Sequence, residues 1–174
     1  MRSMIICVLI IMLTGCATTG KIIGNRFIDN IYPFEFKFPD DYTLKTVSSI
    51  DDAAWRIAGL KWAGENKSYY KPTIVIAIIS AEGRSYYQFI EDTKRWHYDI
   101  NVILCTSVEY EEDISVNDIC PHLVYFSGGG MKGVNAYIKV DEYYMKIDYV
   151  TSFDYYDFDD IFYVLENITL QCTD

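Results

Sequence analysis

The chain is short of positive charge. Its 174 residues include 15 Lys and Arg against 25 Asp and Glu, a net charge of −10 at neutral pH. That balance repels phosphate backbones and anionic headgroups, so nucleic acid is excluded as a partner and membrane binding through basic patches is disfavoured. Histidine is scarcer, with only His97 and His122. With so few imidazoles and no paired cysteine knuckles, neither a zinc site nor any other cofactor is expected. Long apolar runs are missing too. The longest, Met4–Leu13, has ten residues, about half of the roughly 20 that a membrane-spanning helix needs. No internal repeat or low-complexity tract breaks the remainder.

What stands around that run is more specific. Arg2 precedes it and the small residues Thr14 and Gly15 follow, the basic–apolar–small order of a secretory signal peptide. Next comes Cys16. The stretch "LTGC" (13–16) resembles the lipobox of bacterial lipoproteins, in which Leu, two small residues and Cys are consecutive. The resemblance implies cleavage before Cys16, a thioether-linked diacylglycerol on its sulfur and acyl chains such as palmitate, enough for stable anchoring where one chain is marginal. Residues 1–15 are then a signal peptide, 16–27 a lipidated tether, and 28–174 a single domain. Ala17, in place of the Asp that marks inner-membrane retention in that family, fits an outer-membrane lipoprotein facing the periplasm.

The rest can fold. Hydrophobic residues make up 51% of the chain and there are 16 Tyr, which bring large apolar bodies with polar tips to half-buried sheet positions. Besides Cys7 and Cys16, Cys105, Cys120 and Cys172 remain. Export permits a disulfide, and three thiols allow one bridge. Cys120 with Cys172 is the favoured pair, because Cys105 lies in an apolar strand-like run.

In "IYPFEFKFPDDYTL" (31–44), Phe34, Phe36 and Phe38 alternate with Glu35 and Lys37, predicting a strand with one buried face. Pro39, Asp40 and Asp41 form a turn, and a hairpin partner is expected at 42–48. Strands are expected at 53–62 and at 73–80, the latter buried on both faces. "SYYQFIEDTKRWHYDI" (85–100) reads as a helix, with Ser85 and Gln88 at capping-box spacing and Phe89, Ile90, Trp96 and His97 along its inner stripe. Further strands fall near 102–111, 121–127, 134–140 and 143–151, and a closing helix spans 154–170. Antiparallel strands with helices segregated onto their faces define an α+β domain.

An opening of the type "YPFEFKFPDDYTL" is similar to the start of PsbP-like and Mog1-like domains. The order of elements through residues 28–170 fits their α/β/α sandwich. That resemblance implies a non-catalytic binding or assembly module; it carries over no functional residue.

"SGGGMKG" (127–133) lacks the Lys-Ser/Thr end of a phosphate loop and reads as a turn between strands. Asp154, Asp157, Asp159 and Asp160 read as helix-capping acids on a solvated face rather than a calcium cage, since the Gly and distal Glu of such loops are missing. "EYEEDISVND" (109–118) reads as an acidic turn. A Cys120–His122 nucleophile pair shares one strand face but has no supporting motif. The expectation is therefore a non-enzymatic envelope lipoprotein with a protein partner. The alternative is a small-ligand or divalent-cation-binding domain that uses the acidic segments.

Overall fold

Phe34, Phe36 and Phe38 are fully buried while Glu35 and Lys37 stay half-exposed, as the alternation requires. The computed structural model describes residues 20–46, 55–61, 72–81, 83–92, 94, 106–152 and 158–170. These residues form two antiparallel sheets and two helices. The small sheet has the order β1 (Gly20–Ile23), β2 (Arg26–Asp29), β3 (Phe34–Lys37) and β11 (Ile168–Leu170). The large sheet runs β4 (Tyr42–Thr46), β5 (Trp55–Lys61), β6 (Thr73–Ser80), β10 (Tyr143–Ser152), β9 (Met131–Val140), β8 (His122–Gly128) and β7 (Thr106–Asp113). Helix α1 covers residues 86–92 and 94, and α2 is Asp159–Glu166. Among the described residues no helix is long and apolar enough to cross a membrane.

One core lies between the sheets. Ile74, Ile76 and Ile78 of β6 and Met145, Ile147 and Tyr149 of β10 share a cluster with Phe27, Phe34 and Phe36 of the small sheet and with Ile161, Val164 and Leu165 of α2. On the other face of the large sheet, Phe89 and Ile90 of α1 pack with Val124, Tyr137 and Tyr144. Phe89 stacks on Tyr144 at 5.3 Å. The α+β class with helices on the sheet faces is thus the observed one. It is built as α1, large sheet, then small sheet with α2.

The capping box is present as expected: the Ser85 amide donates to Gln88 Oε1 at 3.0 Å, and the Gln88 amide donates to Ser85 Oγ at 3.1 Å. Trp96, His97 and the remainder of the expected helix lie outside the described residues, as do Cys16, Cys105 and Cys172.

Five expectations need correction. β3 and β4 do not form a hairpin: β3 pairs with β2 and β11, and β4 pairs with β5. The Pro39–Asp41 turn, closed by Tyr42 N donating to Pro39 O at 3.1 Å, carries the chain from one sheet to the other. Residues 20–27, assigned to the tether, belong to the domain, where β1 pairs with β2 and Phe27 is fully buried. The acidic stretch 109–118 is a turn only in its second half: Glu109–Asp113 continues edge strand β7, and the chain reverses at the Val116–Ile119 bridge. The Gly129–Gly130 turn joins β8 to β9 with both φ values positive (58° and 83°), the geometry a two-residue hairpin favours, but Gly133 of the same segment is inside β9. Finally, α2 ends at Glu166 and a short strand, β11, follows where helix was expected.

Candidate functional site

His122 opens β8 and lies opposite Asp113, the last residue of β7. Glu111, two residues earlier, shares Asp113's face by strand alternation. Both carboxylates reach the imidazole, Asp113 Oδ1 at 2.9 Å from Nδ1 and Glu111 Oε2 at 3.0 Å from Nε2. Across the cleft, α1 presents Glu91 and Lys94, three residues apart and therefore on one helix face. Lys94 Nζ lies 2.6 Å from Glu111 Oε1 and 3.4 Å from Glu91 Oε1. Tyr86 and Ile90 complete a cavity of about 190 Å³.

The groups in this cleft answer one another. Burial pushes the Glu111 carboxyl up, but hydrogen bonds and charge from Lys94 and His122 outweigh it and hold the group below its ordinary value. Burial likewise lowers Lys94, and Glu111 and Glu91 more than restore it. Burial pushes the Tyr86 phenol up to about 12, and its hydroxyl donates to the Tyr137 carbonyl at 2.6 Å. A general base or nucleophile needs a free face toward substrate. Both His122 nitrogens are turned to carboxylates instead, so the cleft acts as a charged clasp holding α1 to the edge of the sheet.

The other sequence candidates do not join this cleft. Cys120 is exposed and its expected disulfide partner Cys172 lies outside the described residues; His122, committed to Asp113 and Glu111, is not its base. Asp160 was expected on a solvated face but is buried. It accepts from Tyr42 Oη at 2.9 Å and pairs with Lys61 Nζ at 3.1 Å, while Asp41 meets the same ammonium at 3.0 Å. Burial and the Asp160 charge drive the Tyr42 phenol far above its usual range. Asp159 is exposed; Asp154 and Asp157 lie outside the described residues. Among the described residues no three His, Cys, Asp or Glu side chains are grouped to hold a metal ion.

The sequence does not single out Lys94 or Glu111: Lys94 falls on the polar side of the helix and Glu111 at the junction of an expected strand and an expected turn, and only the tertiary fold brings them together. Sequence reasoning also missed a buried pair in β10, Lys146 Nζ to Asp148 Oδ1 at 2.9 Å. Burial raises the Asp148 carboxyl against the opposing pull of Lys146. The signal was present as Lys and Asp two apart in a strand, hence on one face.

Comparison with known proteins bears on the architecture. The sequence matches no known protein family and no curated protein. Among solved structures, the cyanobacterial PsbP protein (CyanoP) of Synechocystis superposes with a TM-score of 0.59 at 11% identity, over 91% of this chain and 98% of that one. The domain is PsbP-like in fold. A structure from Bacteroides thetaiotaomicron gives a TM-score of 0.51 at 9% identity, over 86% of this chain and 49% of that one. At such identities the likeness concerns fold alone, and the PsbP-like frame places the clasp at one edge of its large sheet.

Proposed function

We propose that this chain is a lipoprotein of the bacterial envelope, held by lipid on Cys16, whose PsbP-like domain is a non-catalytic module that binds or helps assemble another envelope protein. The observation that carries the non-catalytic part is the clasp. The best-equipped cleft spends its His, Lys and acids on each other and leaves none poised for proton transfer. The lipid anchor rests on "LTGC" after a ten-residue apolar run. Ala17, in place of the Asp of inner-membrane retention, supports the outer membrane, periplasmic face.

The small-ligand or cation reading has weaker support. A surface hollow of about 460 Å³ opens between the end of β6 and the β9–β10 turn, but Lys139 stands there beside Asp141 and Glu142. The acids of β7 that a cation would use are engaged by Lys94, His122, Ser127 and Tyr125.

Crosslinking in intact envelopes, with the Cys16→Ala protein as control, tests the assignment. One stoichiometric partner, captured by the wild type and lost in the control, is expected. A partnerless monomer that gains several degrees of melting temperature with a divalent cation would replace this reading with the ligand-binding one.

A further inference from the structure

We infer that the outer face of the small sheet is a membrane-docking surface, seated on the anionic leaflet that holds the Cys16 anchor; the inference rests on the reading of Cys16 as acylated. Three observations converge on it. The first is reach. Three residues separate Cys16 from Gly20 at the start of β1, and an extended chain covers at most about 3.5 Å per residue, so β1 begins within about 14 Å of the anchored residue. The start of the small sheet is therefore held close to the bilayer.

The second observation is charge. Phe27 and Phe36 fill the inner face of the small sheet, so alternation turns Lys21, Ile23, Arg26, Ile28, Glu35 and Lys37 outward. The register confirms the grouping: Lys21 is opposite Ile28, which is opposite Glu35, while Ile23 is opposite Arg26, which is opposite Lys37. Three bases and one acid share this face in a chain with ten more acids than bases. Glu35 is held by Arg26 at 2.8 Å. The net charge of the chain hides this basic face, while the same excess of acid keeps the rest of the domain off an anionic surface.

The third observation is exposed apolar surface beside those bases. Ile23 is 46% exposed and lies among the three cations, the mixture that suits a headgroup boundary. Lipid alone would leave the domain free to tumble on its tether. Bases near an anionic leaflet are drawn to it; with Arg26 paired to Glu35 and Lys37 over the Tyr163 ring, the face keeps a net positive charge that favours the orientation directing the clasp edge of the large sheet away from the bilayer.

The test is amine footprinting of the mature lipidated protein in phosphatidylcholine vesicles with and without phosphatidylglycerol. Acetylation of Lys21 and Lys37 is read by mass spectrometry, with exposed Lys139 of β9 as internal reference. With phosphatidylglycerol present, Lys21 and Lys37 should label about fivefold less than without it, and Lys139 should be unchanged. Protection should fade between about 0.1 and 1 M salt as the screening length shrinks. In an Arg26→Glu/Lys37→Glu protein, whose substituted side chains leave the core untouched, Lys21 should lose its protection. Intact mass of the same samples separates the two ways to fail. An acylated Cys16 with Lys21 and Lys37 labelled equally in both vesicles overturns docking and leaves the anchor standing. An unmodified Cys16 overturns the anchor and the docking together.

Discussion

Asp160 shows what a single residue contributes here. It is 8% exposed, and its charge is tolerated because Lys61 and the Tyr42 hydroxyl meet it. Removing one member of a buried, hydrogen-bonded pair leaves the other uncompensated. Asp160→Ala should therefore cost about 3 kcal/mol, read as a lower urea midpoint with an unchanged slope. Glu111 makes a pH-dependent contribution. Its folded value lies below its ordinary 4.5, so its stabilisation is fully present above pH 4.5 and is lost as pH falls through the depressed value. Lys94, Glu91, His122 and Asp113 all face the group. Melting temperatures of wild type and Glu111→Gln should differ most at neutral pH, and the gap should close on acidification. At this scale sequence was a partial guide. His122 is visible in the sequence without its carboxylate partners, and the Asp160 carboxylate is expected in solvent. Burial of a charge depends on what the rest of the fold brings against it, and no local pattern records that.

Among the elements, periodicity was legible and pairing was not. The Phe34, Phe36, Phe38 alternation and the Ser85/Gln88 box each report a local geometry, and both are observed. Which strand lies beside β3 is a non-local matter. A two-residue-period pattern fits a hairpin across Pro39–Asp41 as well as the crossing between sheets that occurs. Strands of three or four residues, such as β1 and β11, are too short to show a period. Strand β7, expected near 102–111, runs two residues further to Asp113: Glu and Asp are poor strand formers in general, yet acids on an edge strand guard its open hydrogen-bonding groups against stray pairing. Gly133 shows how an element can depend on a missing side chain. A Cβ there would collide with the Phe126 ring and the Tyr149 carbonyl. Gly133→Ala should destabilise the domain by about 2–3 kcal/mol through overpacking, measured by urea denaturation. A cost below a few tenths would mean that β8–β10 pack more loosely than described.

At the scale of the whole molecule, composition and charge set limits that local asymmetry then refines. A net charge of −10 speaks against nucleic acid, but it averages over a large sheet whose edge is acidic and a small sheet whose outer face is basic. Sequence alone could not separate them, because Lys21, Arg26, Glu35 and Lys37 share a face only once β1, β2 and β3 are paired. The arrangement gives the molecule two ends: the small sheet, tied by a few residues to Cys16, and the charged clasp of α1 and β7. On the proposed reading the first end would anchor and the second would stay free for a partner.

Everything in that account hangs on Cys16. The most direct test is to fractionate cells expressing the wild type or Cys16→Ala, washing the membranes with high salt to remove contacts made by charge alone. The wild type should stay with the membranes and the variant should appear in the soluble fraction. A variant that remains membrane-bound through the wash would contradict the lipid anchor and the orientation built on it.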